Sequence, residues 1–333
     1  MDIDLARFRG RPLSLAVISW NVSLLVATAV TALLYVTGLV RAPAMVAIAM
    51  TTTATGMVVP ILRDAHELDS EFGVFLAAAA TLGEFGPIML IALMFTRVYS
   101  YPEQAALMIF FIVVSITIAI AALRIRPPRL LTLFHRTLHA SNQLPVRICM
   151  LLLSFLIVLA GAFGIDAILG AFAAGMVIGL SARGKDGGLL REKLDAIAFG
   201  YFVPFFFVTS GMKFDVGSLF GSTESLLLMP FFLLLFFIVR GVPVFLYRRD
   251  LKAAEKLPFA LYMATALPLV VAITDIGVET GRMRNDVSAA LVGAALLSTL
   301  LFPTLADFLI SRSALLRGYT PAMELSAGAE RSR

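Results

Sequence analysis

Glu84 stands at the centre of the apolar run Phe72 to Thr96, twelve residues from either end. At about 1.5 Å per helical residue, its carboxyl lies roughly 18 Å from each end of a bilayer-spanning segment. A bare carboxylate at that depth costs several kcal/mol unless it is neutralised, paired or wetted. Carboxyl groups held away from water favour the neutral form, which lets them exchange a proton near neutral pH. An ionised carboxylate among hydroxyl and carbonyl oxygens suits a hard alkali cation. One side chain can therefore hold either a proton or a cation.

Oxygens for such a site are available nearby in sequence. The stretch Thr51-Thr52-Thr53-Ala54-Thr55-Gly56 sets four hydroxyls before a glycine, and Pro60 follows. Pro60 removes a backbone donor and Gly56 loosens the helix, so free carbonyls are expected around Thr53, Thr55 and Gly56. A second segment carries Thr265 and Pro268 at its centre. Two helices broken at mid-membrane would present carbonyls, hydroxyls and opposed dipoles to an ion. Thr and Pro also kink membrane helices with no ion involved, and each segment by itself is open to that reading. Arg240 is the other intramembrane charge; it either snorkels to the headgroups or turns inward to pair with Glu84 or a broken-helix carbonyl. Asp275 and Asp307 fall near span ends and read as boundary residues, and Trp20 and Asn21 read as packing.

The elements that must position these groups follow from composition. With 59% hydrophobic and 15% charged residues, in continuous rather than alternating apolar runs, the chain is an all-α polytopic membrane protein. A net charge of +5 arises from basic residues in short loops, which set topology and exclude a nucleic-acid partner. The lone Cys149 and the three histidines form no metal-ligand pattern, and neither a phosphate loop nor a nucleophile elbow is present. The expectation is a protein that is not an enzyme and uses no cofactor.

Ten apolar segments can be marked: Pro12 to Val40, Pro43 to Leu62, Phe72 to Thr96, Gln104 to Leu123, Val146 to Phe163, Ile165 to Ser181, Leu194 to Gly211, Ser225 to Tyr247, Leu257 to Ile276 and Val287 to Leu309. With both termini cytoplasmic, Lys and Arg favour that side by roughly four to one. Met1, Asp4 and Gly10 align with Met212, Asp215 and Gly221. After one residue of slippage Val58-Val59-Pro60-Ile61 aligns with Val270-Val271-Ala272-Ile273. An odd number of spans separates the copies, which makes the repeat inverted, the plan of secondary transporters. The organisation expected is a first repeat of four spans over 1–123, an amphipathic cytoplasmic connector over 124–145, a second repeat of six spans over 146–311 and a cytoplasmic tail over 312–333. Three spans of the second copy have no counterpart before Met1. Either the chain is a true short form or its start was assigned at an internal Met of a longer frame; the second is the expectation.

Two stretches carry a family resemblance: Leu169-Gly170-Ala171-Phe172-Ala173-Ala174-Gly175, and the segment from Gly200-Tyr201-Phe202-Val203-Pro204 through Thr209-Ser210-Gly211-Met212-Lys213-Phe214-Asp215. The chain resembles bacterial monovalent cation/proton antiporters of the sodium/hydrogen exchanger superfamily over roughly Met1 to Leu309. That resemblance implies two crossing broken helices, a core domain and a panel domain that move against one another, a homodimer, and a place in the bacterial inner membrane. It implies sodium or potassium exchanged for protons, with Glu84 as the ion-binding carboxylate, Thr55 as the threonine of the first broken helix and Arg240 as the basic residue of the core. Gly83 departs from the family by replacing the first acidic or amide residue of a pair. One carboxylate then remains, which favours electroneutral one-for-one exchange and a pairing of Arg240 with Glu84. The absent first three spans are the other departure. Rival readings are a sodium-coupled organic anion symporter, which calls for more polar groups around a larger cavity, and a non-transporting or degenerate protein that keeps the fold.

Overall fold

The computed structural model describes residues 10–65, 67–95, 143–162, 167–181, 187–213 and 223–316, with single positions 113, 117 and 217. Among the described residues every regular element is helical. The first four helices are α1 (Arg11–Val36), α2 (Pro43–Met50), α3 (Thr55–Asp64) and α4 (Glu71–Phe95). Next come α5 (Leu144–Ala162), α6 (Ala167–Ser181), α7 (Gly187–Ile197), a π turn at Ala198–Phe202, and α8 (Val203–Lys213). The last are α9 (Thr223–Gly241), a 3-10 segment at Val242–Tyr247, α10 (Ala253–Met263), α11 (Pro268–Glu279) and α12 (Asn285–Leu316). With no water in a bilayer core to satisfy backbone groups, continuous apolar runs of this length have little alternative to the helix.

Eight candidate spans lie among the described residues, with α2–α3, α7–α8 and α10–α11 each counted as one. The shorter apolar helix Leu169–Gly179 lies within α6. The expected span Gln104 to Leu123 falls outside the described residues apart from positions 113 and 117, as do most of the connector and the tail.

Packing divides the chain into two compact units: Ile88–Lys213, grouped with Met1–Ile3, and the flanking Asp4–Pro87 with Phe214–Arg333. In the first, α5 lies against α6. Gly170 makes that approach possible, since a Cβ there would lie 2.6 Å from the Leu156 carbonyl oxygen. The π turn precedes Pro204, whose missing N–H leaves the Gly200 carbonyl without its helical partner.

The second unit holds every residue singled out for chemistry. In it α12 packs on α9, α10 and α11, while α1 packs on α2 and α9. The inward stripe of α1 is Ala16, Ser19, Ser23, Ala27, Thr31 and Leu34, all buried. Small residues at this spacing let backbones approach, and their hydroxyls bond within the bundle. Phe72, Phe75, Tyr247, Phe259 and Tyr262 form an edge-to-face and tilted aromatic cluster with centroids 4.8–6.4 Å apart. Each such pair contributes about 0.5–1.5 kcal/mol beyond burial. Tyr247 is tied to Ser19 on α1 at 3.0 Å, and Tyr262 donates to Asp307 on α12.

Two spans break and meet. α2–α3 is interrupted at Thr51–Ala54 and α10–α11 at Ala264–Leu267. The linkers touch: the Ala54 N–H donates to the Thr265 carbonyl at 2.7 Å, and Thr53 Oγ1 donates to the Met263 carbonyl at 2.6 Å. Ser298 of α12 receives the Ala266 N–H at 3.1 Å and approaches the Ala266 carbonyl at 3.0 Å. α1 and α11 end alike, at Gly38 (φ 78°) and Gly281 (φ 66°). In each, the glycine N–H and the next N–H return to the last turn: Gly38 to Tyr35 and Leu39 to Leu34, then Gly281 to Val278 and Arg282 to Gly277.

Two outcomes follow for stability in detergent. Gly281→Ala forces a Cβ into the left-handed region and should cost about 1–2 kcal/mol, read as a lower thermal midpoint. Ser298→Ala strands the buried Ala266 N–H and should cost about 1–3 kcal/mol in the same assay.

Candidate functional site

Pro60 sits inside α3, past the first break rather than at it. Thr51 Oγ1 donates to the Ile48 carbonyl and Thr52 Oγ1 to the Ala49 carbonyl, each at 2.8 Å. These hydroxyls take up carbonyls of the last turn of α2, which ends at Met50. The N–H groups of the linker find partners: the Thr53 N–H donates to the Gly83 carbonyl at 3.0 Å, and the Thr55 N–H to the Thr53 carbonyl at 3.0 Å. A free carbonyl beyond it is assigned by chemistry, because Pro60 has no N–H to give the Gly56 carbonyl four residues earlier. In the second break Thr265 Oγ1 donates back to the Leu261 carbonyl at 3.1 Å, and Pro268 opens α11, where a missing N–H costs nothing.

Glu84 is partly buried in the middle of α4. Its carboxyl comes up beside the Thr55 side chain, at the first residue of α3. Thr55 Oγ1 is buried, and the Glu84 carboxyl is the hydrogen-bonding group beside it. A carboxyl at a helix N-terminus meets the positive end of the helix dipole, and the hydroxyl beside it offers one more oxygen to a bound ion. Both groups belong to the Asp4–Pro87 part of the second unit.

Arg240 is 1% exposed, so it does not snorkel. Nor does it pair with Glu84: among the described residues its hydrogen-bond partners are neutral oxygens and the Met263 sulfur. Nε and Nη2 donate to Thr53 Oγ1 at 3.1 and 2.8 Å, Nη1 donates to Ser23 Oγ at 3.1 Å, and Nε also reaches the Met263 carbonyl at 3.3 Å. The Ala79 carbonyl lies 3.5 Å from Nη2. The reason lies in α4. Successive helical residues point about 100° apart, and it is Gly83, not Glu84, that faces the guanidinium. A Cβ on Gly83 would lie 2.6 Å from Arg240 Nη2. Arg240 is in the last turn of α9 and bonded to the last residue of α10, so a cation stands where two helix dipoles end negative.

Thr53 is fully engaged by these contacts. Its hydroxyl gives one proton to Met263 and accepts twice from Arg240, which is the capacity of a hydroxyl. Of the residues marked from sequence, Glu84 and Thr55 come together, while Thr53, Thr265 and Arg240 meet at the crossing beside them. Gly56 is exposed and Pro268 starts α11.

Sequence reasoning passed over Ser23 and Ser298, each fully buried and each holding a group of the crossing. Ser23 was legible as part of the repeat Ser19, Ser23, Ala27 and Thr31 at four-residue spacing. Ser298 had no comparable signal. Trp20 packs its ring over Gly86, where a Cβ would lie 2.3 Å from the indole, so the small residues flanking Glu84 do admit a second helix.

Comparison with known proteins identifies the family. The family model described as "Sodium/hydrogen exchanger, transmembrane" matches residues 1–310. A putative Na+/H+ antiporter, YjbQ of Bacillus subtilis, is 23% identical over 266 residues, covering 80% of this chain and 42% of that protein. The high-affinity Na+/H+ antiporter NhaS3 of Synechocystis is 26% identical over 281 residues, covering 81% of this chain and 59% of its own length. Cation/H+ antiporter 15 of Arabidopsis thaliana is 24% identical over 255 residues, or 76% of this chain and 31% of that one. The chain spans about half the length of the first two relatives. With the family model matched over nearly its whole helical extent, this multi-pass membrane protein belongs to the sodium/hydrogen exchanger family.

Proposed function

We propose that the chain carries the ion-exchange centre of a monovalent cation/proton antiporter, with Glu84 holding a proton or a sodium or potassium ion in turn. The observation that carries this reading is a carboxyl in the middle of a span, set beside a buried hydroxyl at the N-terminus of a broken helix. Thr55 and the Gly56 carbonyl complete the cation's oxygen shell in part, and water supplies the rest. Thr53 serves Arg240 instead of the ion. Thr265 and Pro268 shape the second broken helix that crosses the first.

Charge bookkeeping favours one-for-one exchange. In this reading Glu84 is the one carboxyl among the described residues that takes the ion, and Arg240 keeps its charge among neutral partners. Whether a proton or a cation occupies Glu84, the loaded centre has the same net charge, so exchange of one for the other moves none across the membrane. Alternating access, in which the centre opens to one face and then the other, completes the cycle. Relatives named Na+/H+ and cation/H+ antiporters support the same exchange. The loop charge bias supports cytoplasmic termini, and the resemblance to bacterial antiporters supports a place in the bacterial inner membrane.

In proteoliposomes, proton flux driven by a sodium or potassium gradient should vanish in Glu84→Gln while the purified variant keeps its thermal midpoint. Exchange at wild-type rate in that variant contradicts the assignment. Thr55→Val should raise the KM for the cation about tenfold with kcat less affected, since it removes one ligand oxygen and leaves the carboxyl. Setting the membrane potential independently should leave the wild-type rate unchanged; a rate that rises and falls with potential rules out one-for-one exchange.

A further inference from the structure

Gly83 lies one residue before the carrier, and no side chain fits there as the crossing stands. An added Cβ would lie 2.6 Å from Arg240 Nη2, 2.7 Å from Thr53 Oγ1 and 2.9 Å from Thr53 Cβ, all well inside contact distance. We propose that Gly83 is a positioning residue of the exchange: its bare Cα lets Thr53 and Arg240 close on each other over α4, and hydroxyl bonds thereby replace a carboxylate as the partner of the buried cation. The proposal rests on the reading of Glu84 as carrier.

The obstruction cannot be relieved by a small retreat. Thr53 is pinned through its N–H to the Gly83 carbonyl at 3.0 Å and through its hydroxyl to the Met263 carbonyl at 2.6 Å. Arg240 has a flexible end, but Ser23 and the Met263 carbonyl hold it on its other sides. Displacement of Thr53 is passed on, because its carbonyl receives the Thr55 N–H at 3.0 Å and Thr55 is the hydroxyl beside Glu84. A glycine that never touches the ion thus fixes the oxygen that does. Gly83 also excludes a second carboxylate at the position of α4 whose Cβ would meet the Arg240 guanidinium, which keeps the centre at a single titratable carboxyl.

The test is a double-mutant cycle on the whole protein in proteoliposomes, with Gly83→Ala, Thr53→Gly and the pair together, and Glu84→Gln alongside. Gly83→Ala should raise the cation KM about tenfold and move the pH of half-maximal exchange, with a smaller effect on kcat. Thr53→Gly should move both quantities the same way, and the pair should be no worse than the worse single, because both changes undo one contact. A Gly83→Ala protein with wild-type KM and pH profile overturns the proposal, and so do effects that multiply in the pair. Should Gly83→Ala fail to fold, the pair should be recovered folded, since Thr53→Gly removes the fixed part of the clash; a pair that is also lost while Thr53→Gly survives counts against it. Exchange surviving in Glu84→Gln removes the carrier reading itself, a separate outcome.

Discussion

A guanidinium sealed from water must be surrounded by oxygens, and at Arg240 they come from four places: Ser23 on α1, Thr53 in the first linker, the Ala79 carbonyl of α4 and the Met263 carbonyl ending α10. A buried cation without such partners costs several kcal/mol, and hydrogen bonds to a charged group return about 1.5–3 kcal/mol each. The demand of this one charge therefore specifies where four elements meet. It accounts for Ser23 in the stripe of α1 and for the glycine on α4. It also accounts for Thr53 turning across to α10 rather than toward Glu84.

Around that fixed charge the crossing satisfies nearly everything else. Linker backbones bond to each other, to Gly83 and to Ser298, and Thr51 and Thr52 take back the carbonyls that the break of α2 sets free. Beside the crossing lie the Thr55 hydroxyl and the Glu84 carboxyl, which have each other. A site that exchanges one ion for another must keep its ligands in place when the occupant leaves, in a surround that does not relax to fill it. The bonded crossing and the carboxyl–hydroxyl pair beside it suit that requirement.

Much of this was legible in the chain. Glu84 stood out because a charge in the middle of a span has few innocent explanations, and the threonine and proline segments because they interrupt apolar runs. Gly83 was visible as a departure from the family's acidic pair. The partner of Arg240 was not, since helical phase decides whether residue 83 or 84 faces it and one residue is about 100° of rotation. The place of the first break was legible only approximately: proline is the conspicuous breaker, yet the chain breaks at Thr51–Ala54 and Pro60 sits inside α3. Ser298 carries no signal in sequence because a lone serine in a membrane helix usually bonds its own backbone, and only the fold brings Ala266 to it.

The central claim is that one carboxyl takes either a proton or a cation, and the most direct measurement is proton release on cation binding. Adding sodium or potassium to the detergent-solubilised protein in weak buffer should release protons near neutral pH, approaching about one per protein as the cation saturates. Release should fade at high pH, where the carboxyl is already ionised, and it should be absent in Glu84→Gln. Binding without proton release, or release undiminished in Glu84→Gln, would contradict the account.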